Sequence, residues 1–309
     1  MGGEKVILAA ATGYAVSQIL AFVDSLDQTG FDGELVLIIY RKQLDQYQRR
    51  LKHIQNYAIN FQFSSMGKLH YRNDYVGLLK HKFARRCATL FFKILAIIPV
   101  QNMKEIALNY SGYPHVGRFF EYRKALKLRP NAKKILLTDI RDVIFQAPPL
   151  DGVIKGLHVG MENEEVKLKD ETYNADWILD AYGMEVLEQM GMQQISCSGV
   201  SYGDRDAILI YIELMINEFC NIPYKIMSNR IYDQAMHNKL IFDGRIPNIQ
   251  LCQPNNSRII TLGLFSQNEI FLVDGKIVNK DQTVIPIVHQ YDRHKFLLKI
   301  INENSAQDC

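Results

Sequence analysis

Two carboxylates and a guanidinium stand close together directly after a short apolar segment. Asp139, Arg141 and Asp142 follow residues 134–138, whose apolar run predicts a strand covered on both faces. Open α/β sheets bind their ligands at the carboxyl ends of such strands. Two carboxylates suit a hard divalent cation and leave positions for phosphate oxygens and water, while the planar Arg141 side chain can pair with phosphate directly. The alternative is a strand-end turn that carries solvated charges and one ion pair.

Two later segments carry further polar side chains that could take part in chemistry. Asp233, Gln234 and Asn238 belong to a predicted helix over residues 232–240. A structural role for Asp233 as the N-cap of that helix would explain the aspartate but neither of the two amides. His289 follows the short strand candidate that starts at Pro286. Because a carboxylate pair exists for it to join, we expect this histidine to be a metal ligand rather than a structural residue.

The amino-terminal forty residues predict the frame that positions these groups. Residues 5–11 and 34–40 are continuous apolar runs, which are typical of buried strands. Between them, residues 12–14 break the first run, Ser17 can cap a helix, and Gly30 and Gly33 end that helix. This β-α-β pattern predicts a parallel sheet with a right-handed crossover.

The rest of the chain continues the α/β pattern. Further strand candidates are residues 58–63, 134–138, 157–161, 194–198 and 248–252. Helix candidates are residues 115–128, 204–219 and 232–240. Repeats and Pro/Gly/Ser-rich linkers are absent from the sequence, so we expect a single α/β domain over residues 1–309. Residues 72–109 are predicted to be its least regular insertion.

Composition and charge limit the partners of this 309-residue chain. The hydrophobic content of 48% and charged content of 22% are ordinary for a globular protein, and a net charge of +3 is too small to indicate nucleic-acid binding. Five cysteines without a C-x-x-C pair argue against a disulfide framework or a zinc site. The chain starts without an apolar signal region, and its most apolar run, residues 87–100, is shorter than the ~20 residues that span a bilayer. We therefore expect a soluble, cytoplasmic protein.

One segment bears on location within the cell. The basic residues Lys80, Lys82, Arg85 and Arg86 precede the strongly apolar residues 90–98. Such a segment could make a peripheral contact, through residues 80–98, with the anionic inner face of a membrane. A buried helix with a charged amino-terminal flank explains the same pattern, and the continuous apolarity favours that interpretation.

Taken in order, these segments resemble the nucleotide-sugar-dependent glycosyltransferases of the GT-A fold, with features of their galactosyltransferase- and glycogenin-like members. Asp139 matches the first aspartate of the family's Asp-x-Asp motif, Arg141 stands at the second, and Asp142 follows one residue later. The resemblance implies a single GT-A (Rossmann-like) domain with a mostly parallel central sheet flanked by helices. Its nucleotide-binding half would be residues 1–150 and its acceptor-binding half residues 151–309, each boundary being approximate.

The resemblance also implies a role for each candidate residue. Asp139, Asp142 and His289 would hold Mn²⁺ or Mg²⁺ against the diphosphate of the donor, and Arg141 would stabilise the charge of the leaving nucleotide. Asp233 and Gln234 would face the acceptor and the anomeric carbon. The residues on the nucleotide side would be Thr12, Gly13, Tyr14, Arg118 and Asp139. A purely structural turn at residues 12–14 and a surface position for Arg118 are the alternatives.

Cys197 lies where the family carries an asparagine. The segment Cys197-Ser-Gly-Val stands at the place of the family's Asn-Ala-Gly loop, which meets the acceptor, and only Gly199 and Val200 match. No histidine or basic partner is expected nearby to lower the pKa of its thiol. We therefore expect a buried thiol rather than a nucleophile.

The implied activity is metal-assisted transfer of a sugar from a nucleoside-diphosphate sugar to a hydroxyl of a glycan, polysaccharide or lipid-linked acceptor, with retention of configuration favoured. A sugar nucleotidyltransferase would share the sheet and the metal, but its Gly-x-Gly-Thr-Arg loop is replaced here by Ala11-Thr-Gly-Tyr. A non-catalytic carbohydrate-binding or membrane-associated module of the same fold would keep the sheet and lose the metal, and Arg141 in the motif favours that alternative.

Overall fold

The computed structural model describes residues 4–67, 69, 77–152, 154–228 and 232–307. Its strands are β1 (Lys5–Ala10), β2 (Glu34–Ile39), β3 (Ala58–Phe63), β4 (Lys134–Thr138), β5 (Val143–Phe145), β6 (Leu157–Met161), β7 (Ser196–Asp204), β8 (Ile249–Cys252), β9 (Ile259–Thr261), β10 (Leu272–Val273), β11 (Lys276–Ile277) and β12 (Ile287–His289). Its α-helices are α1 (Leu20–Gln28), α2 (Leu44–Arg50), α3 (Lys82–Ile97), α4 (Gln101–Ser111), α5 (Pro114–Lys127), α6 (Thr172–Tyr182), α7 (Met184–Met190), α8 (Arg205–Asn221), α9 (Tyr224–Met227), α10 (Asp233–Phe242) and α11 (Lys295–Gln307). Residues 72–76 of the predicted insertion and residue 231, next to the predicted helix at 232–240, lie outside the described residues.

A seven-stranded sheet forms the centre of the fold, in the order β3-β2-β1-β4-β7-β6-β8. Neighbouring strands are parallel except at β7, which runs antiparallel to both β4 and β6. The prediction of an α/β chain with a mostly parallel central sheet is therefore confirmed. The predicted strand at 58–63 and the helix at 115–128 are also present, the helix as α5, which begins and ends one residue earlier.

Helices cover both faces of this sheet, which explains the continuous apolar runs in its central strands. Along β1, Val6 and Leu8 pack in the core that contains α5 and α8, whereas Ile7 and Ala9 pack in the core that contains α1. Side chains of a strand alternate between the two faces of a sheet, so a strand covered on both faces needs an apolar residue at every position. The burial predicted from the sequence of β1 is confirmed.

A second, three-stranded sheet brings the carboxyl-terminal part of the chain back to the end of β4. In the order β5-β12-β9, strand β12 pairs antiparallel with β5, and His289 stands opposite Val143. The backbone N–H of Gln290 donates a hydrogen bond to the carbonyl oxygen of Asp142 at 2.7 Å. Backbone pairing alone therefore holds His289 beside residue 142.

Two local predictions are wrong. Ser17 does not cap a helix, because it lies inside a short 3-10 turn and α1 begins only after Ile19. The Gln18 side chain instead accepts a hydrogen bond from the N–H of Ala15 at 2.8 Å. The strand predicted at 194–198 runs instead from Ser196 to Asp204, so Cys197 lies in a strand as predicted, whereas the loop that the resemblance implies for residues 197–200 is not formed. Pairing with β4 on one side and β6 on the other accounts for this extension.

Helices α3 and α4 form the insertion between β3 and α5. No residue of α3 is buried, so the interpretation of this segment as a buried helix is wrong. The apolar run is continuous, but only one side of α3 rests on the protein, through α4 and α9, and the other side faces outward. Within the described residues, no helix is both long enough and apolar enough to cross a membrane.

Candidate functional site

All of the predicted site residues except Gly13 line one cavity at the carboxyl ends of the central strands. Strands β1 and β4 are neighbours, and the chain leaves β1 toward β2 on one side while β4 lies on the other, which is the point where open α/β sheets bind ligands. The cavity has a volume of about 520 Å³, within the range of small-molecule sites. Its lining includes residues named from the sequence on both halves of the chain: Thr12, Tyr14, Arg118, Asp139, Arg141, Asp142, Asp233, Gln234 and His289.

A wider depression lies at the opposite, amino-terminal end of the strands. Several of its charged groups serve the fold: Lys133 pairs with Glu4 at 2.6 Å, and the Asp204 carboxylate caps α8 by accepting from the N–H of Ala207 at 3.0 Å. Because these groups have structural partners, this depression offers less chemistry than the cavity at the carboxyl ends.

Asp139, Asp142 and His289 form a compact group of metal-ligand types inside the cavity. The Nε2 atom of His289 lies 3.7 Å from Asp139 Oδ2 and 3.7 Å from Asp142 Oδ1. One ligand atom from each of the three residues lies within 4.8 Å of the other two. Two ligands bound at about 2.1 Å from one cation lie up to about 4.2 Å apart, so the separations from Nε2 suit a shared ion.

Two further observations support a cation at this group. The Nε2 atom of His289 is buried and has no hydrogen-bond partner among the described residues, which is costly unless something else binds it. A Cβ atom at Gly199 would lie 2.4 Å from His289 Cε1 and 2.8 Å from Asp139 Oδ2, so the glycine keeps the space beside the group open. The residues present therefore fit a divalent cation.

The other imidazole nitrogen fixes the orientation of the ring. His289 Nδ1 lies 3.3 Å from the Thr261 hydroxyl and 3.5 Å from Cys197 Sγ. Such contacts direct Nε2 toward a metal and are typical of histidine ligands. The expectation that Cys197 has no histidine near it is therefore wrong, because a strand distant in sequence supplies one. Burial nevertheless raises the pKa of the Cys197 thiol, as expected for a residue that is not a nucleophile.

The pKa values of the two carboxylates are shifted in opposite directions. Burial acts to raise the pKa of Asp139, but the adjacent Arg118 guanidinium and His289 outweigh it and hold that pKa well below its usual value. Burial raises the pKa of Asp142, and the neighbouring Asp139 and Asp292 carboxylates add to this effect. For His289, burial disfavours the charged imidazole, yet the acidic groups of Cys197, Asp139 and Asp142 raise its pKa well above the usual value. The group thus concentrates negative charge that a cation would neutralise.

Arg118 connects the acidic group to the predicted acceptor residues. Its buried guanidinium donates to Asp139 through Nη1 and to Asp233 Oδ2 through Nη2, the latter at 2.5 Å. Nη2 also lies 3.3 Å from the carbonyl oxygen of Ser198. The alternative of a surface position for Arg118 is therefore wrong. Tyr122, one helical turn later, is buried in the core beneath the site.

Asp233 and its neighbours do not act as a helix cap. The N-cap of α10 is Tyr232, and the carboxylate of Asp233 accepts from Arg118 and, at 3.3 Å, from the hydroxyl of Ser198. The amide of Gln234 accepts from the Ser198 N–H at 2.8 Å and donates to the Ser196 carbonyl oxygen at 3.0 Å. Asn238 makes the same pair of contacts with Ser196, at 2.8 and 2.9 Å. Both amides thus clamp β7 onto α10 and fix the strand that carries Gly199.

Arg141 and Tyr14 lie at the rim, where a ligand can reach them. Arg141 is partly exposed, and its Nη2 atom is 3.6 Å from both Asp142 Oδ2 and Asp292 Oδ2. Tyr14 is half-buried and lines the cavity together with Thr12. Gly13 is not in the lining; with φ +81° it turns the chain, and its N–H donates to the Gln43 side chain at 3.2 Å. Of residues 12–14, only Gly13 fits the interpretation as a purely structural turn.

Several lining residues were not identified from the sequence. Glu162 directly follows β6, is buried, and lies 3.5 Å from the Gln234 amide nitrogen; burial raises its pKa to about 7. The same strand-end rule that identified Asp139 could have found it. On α6, the rings of Tyr173 and Trp177 lie 5.9 Å apart and give the cavity an aromatic wall. Nothing local in the sequence marks these two aromatic residues as part of the site.

The cavity therefore combines a cation-ligand group, a buried arginine, a half-exposed arginine and an aromatic wall. Each of these comes from a different part of the chain, and the two sheets and α10 hold them together. Comparison with known proteins adds no relative to this picture: no protein-family model matches the chain, and no curated protein is similar to it.

Proposed function

We propose that this protein is a GT-A-type glycosyltransferase that moves a sugar from a nucleoside-diphosphate donor to a hydroxyl acceptor. The observation that carries the proposal is the meeting of Asp139, Asp142 and His289 at the carboxyl ends of the central strands, in one cavity with Tyr14 and Asp233. This is the ligand set that the sequence resemblance implies. The mostly parallel sheet with helices on both faces is compatible with it.

The leaving group makes the largest electrostatic demand on the site. When the sugar departs, negative charge develops on the diphosphate, and fixed positive charge lowers the barrier. A divalent cation held by Asp139, Asp142 and His289 Nε2 would supply Lewis-acid stabilisation of that charge. Arg141 would add a second positive group, because its partly exposed side chain makes only long contacts of 3.6 Å and can turn toward a phosphate.

Arg118 would act inside the protein rather than on the donor. Its guanidinium is buried and shared between Asp139 and Asp233, so it holds both carboxylates at fixed positions. Asp233 then presents an anchored carboxylate to the sugar side of the cavity. We assign Asp233 to the face of the developing oxocarbenium ion or of the acceptor hydroxyl, with retention of configuration favoured by the resemblance.

Gln234 is better assigned to positioning than to direct catalysis. Both atoms of its amide are engaged by the backbone of β7, at 2.8 and 3.0 Å. By fixing β7 it keeps Gly199 and Ser198 in place beside the cation group and Asp233. The aromatic wall of Tyr173 and Trp177 offers a flat apolar surface for one face of a sugar ring.

The products formed from a nucleotide sugar test the proposal. Purified protein is incubated with Mn²⁺ and a panel of nucleotide sugars, and the products are separated by ion-exchange chromatography. Release of nucleoside diphosphate supports glycosyl transfer. Release of pyrophosphate on addition of nucleoside triphosphate and sugar phosphate would instead identify a nucleotidyltransferase, and the absence of turnover on the whole panel would favour a binding module. Asp206→Asn is the matched control for site variants, since Asp206 is an exposed carboxylate at the opposite end of the strands.

A further inference from the structure

Helix α3 has two different sides. Ala84, Ala88 and Leu95 are partly buried and face the protein, and the ring of Phe92 stacks on Tyr110 of α4 at 5.4 Å. The opposite side exposes large apolar side chains to solvent: Phe83, Leu90, Phe91, Ile94 and Ile97. Phe83 and Ile97, at the two ends of this row, are 79% and 78% exposed. A row of this length on the outside of a protein is unfavourable in water and marks an interaction surface.

Helix α4 extends the same apolar surface. Met103, Ile106 and Tyr110 follow one another at helical spacing and are exposed. Because Tyr110 stacks on Phe92, and Phe92 contacts Phe91 edge-on at 5.4 Å, the exposed residues of the two helices are continuous. We call this surface, from Phe83 to Tyr110, the α3–α4 face.

Positive charge borders the α3–α4 face along one edge. Lys82, Arg86 and Lys93 lie on one side of α3, next to the apolar row. Together with Lys80, Arg85 and Leu69 they line a shallow groove in which no described lining residue is acidic. Cations beside exposed apolar side chains on one helix are the pattern of helices that lie in the interface of an anionic bilayer.

We propose that the α3–α4 face docks this protein on the surface of an anionic membrane, with α3 lying in the interfacial plane. The apolar row would insert between the lipids, and the basic edge would contact their negatively charged headgroups. A second copy of the chain fits less well. Its identical face would offer further cations and little countercharge, since Glu105 of α4 is already paired with Arg123. Docking in this way does not depend on the proposed catalytic function.

The location of the face gives docking a consequence for the cavity. Helix α4 ends at Ser111, and Pro114 and His115, which follow at the start of α5, line the cavity. Met66, on the other side of the insertion, lines it as well. A membrane bound by the α3–α4 face would therefore lie on the side of the molecule where the two ends of the insertion reach the cavity wall.

Vesicle sedimentation tests the proposal with the full chain. The protein is mixed with vesicles of phosphatidylcholine alone or of phosphatidylcholine with phosphatidylglycerol, and the bound fraction is measured after centrifugation. We expect binding to the anionic vesicles only, and its loss in Phe83→Ser/Ile97→Ser. Replacing Lys82 and Arg86 by glutamine should weaken binding by roughly thirtyfold, since each cation near the surface contributes about a fivefold change. Leu128→Ser/Met192→Ser is the matched control, because these apolar residues are also highly exposed, at 69% and 60%, but lie off the face.

Three results would overturn the proposal. Equal binding to neutral and anionic vesicles would remove the role of the basic edge, and equal loss in the control variant would remove the role of the face. Failure to bind anionic vesicles, together with self-association that Phe83→Ser/Ile97→Ser abolishes in analytical ultracentrifugation, would identify a second copy as the occupant. All substituted residues are exposed, so the variants should fold, and circular dichroism verifies this.

Discussion

Gly199 lies so close to His289 that a Cβ atom at position 199 would be 2.4 Å from the imidazole Cε1. The glycine belongs to β7 and the histidine to β12, which are strands of different sheets. The absence of a side chain on one strand thus makes room for the buried imidazole on the other. The same Cβ would lie 2.8 Å from Asp139 Oδ2, so the arrangement of Asp139, Asp142 and His289 depends on this position.

Replacement of Gly199 should weaken metal binding by Asp139, Asp142 and His289 more than it lowers the stability of the fold. We expect Gly199→Ala to weaken Mn²⁺ binding by roughly tenfold to a hundredfold, because the methyl group pushes the imidazole away from the carboxylates. Titration calorimetry with Mn²⁺ measures the change.

Gly30→Ala is the control: nothing lies within 4 Å of its added methyl, but its φ of +71° makes alanine strained, at a cost of about 1 kcal/mol. It should lower stability and leave Mn²⁺ binding unchanged. Equal Mn²⁺ binding by Gly199→Ala and wild type would contradict this prediction and show that other atoms move to make room for the methyl group.

Asp233→Asn should reduce transfer while the protein stays folded. The carboxylate is anchored by Arg118 at 2.5 Å, and asparagine can still accept one hydrogen bond there but carries no charge. We expect the transfer rate to fall by roughly a hundredfold or more. The free energy of unfolding should fall by about 1–3 kcal/mol, because the buried Arg118 loses a charged partner. Rates measured well below the midpoint of thermal unfolding separate the two effects.

Ser198→Ala is the control for this substitution. It removes only the 3.3 Å contact between the serine hydroxyl and Asp233 and leaves the pair with Arg118 intact. Its transfer rate should stay within a few fold of wild type, as expected for a single neutral hydrogen bond. If Asp233→Asn transferred sugar at the rate of this control, the carboxylate would have a structural role only.

His237 should make the protein less stable in acid. Its imidazole is buried between the Tyr211 hydroxyl at 2.7 Å and the Ser196 hydroxyl at 2.9 Å, and burial lowers its pKa to about 3. The unfolded chain keeps a histidine pKa of about 6.5 and so binds more protons between these two values. The free energy of unfolding should therefore rise with pH across this window, by up to about 1.4 kcal/mol per pH unit from this group.

Comparison with His237→Gln isolates this contribution. Glutamine does not titrate, so the stability advantage of wild type over the variant should shrink as the pH falls from about 6.5 to 4.5. Urea unfolding at a series of pH values measures both curves. If the two curves ran parallel over that interval, His237 would titrate alike in the folded and unfolded chain.

Trp177 should report on binding in the cavity. It is the only tryptophan of the chain and belongs to the cavity lining. A nucleotide sugar that enters the cavity changes the polarity around the indole, so tryptophan fluorescence should shift or be quenched as the ligand is added. Trp177→Phe should remove the signal while calorimetry still detects binding. Calorimetric binding without any fluorescence change in wild type would place the ligand elsewhere.

The sequence predicts those parts of the site that depend on local order. The apolar residues before Asp139 and the charged residues that follow them predict a buried strand with a polar end. The β-α-β pattern at the amino terminus predicts the sheet to which this strand belongs. The assignment of His289 as a candidate metal ligand rested only on its residue type and on the carboxylates available for it to join. Its actual location follows from the pairing of β12 with β5, a contact between distant segments.

What the sequence did not predict follows from long-range contacts in the same way. Asp233 has the residue type and place of an N-cap, but the buried charge of Arg118, supplied by another helix, engages its carboxylate. Glu162 directly follows the short strand β6, so the strand-end rule that identified Asp139 would also have selected it, but its place at the cavity depends on the strand order. For α3, continuous apolarity favoured burial, and only the packed structure shows that α4 and α9 cover one side of the helix and leave the other exposed.

The cation dependence of nucleotide binding tests the central claim most directly. Binding of a nucleoside diphosphate is measured by calorimetry with Mn²⁺ and with excess chelator, for wild type, Asp142→Asn and the control Asp206→Asn. We expect Mn²⁺ to tighten binding by at least about tenfold in wild type and in the control, because a cation held by the carboxylates would offset the negative charge of the diphosphate. In Asp142→Asn this difference should largely disappear. Equally tight binding by wild type in excess chelator would contradict the cation site and leave the neutralisation of the diphosphate to Arg141.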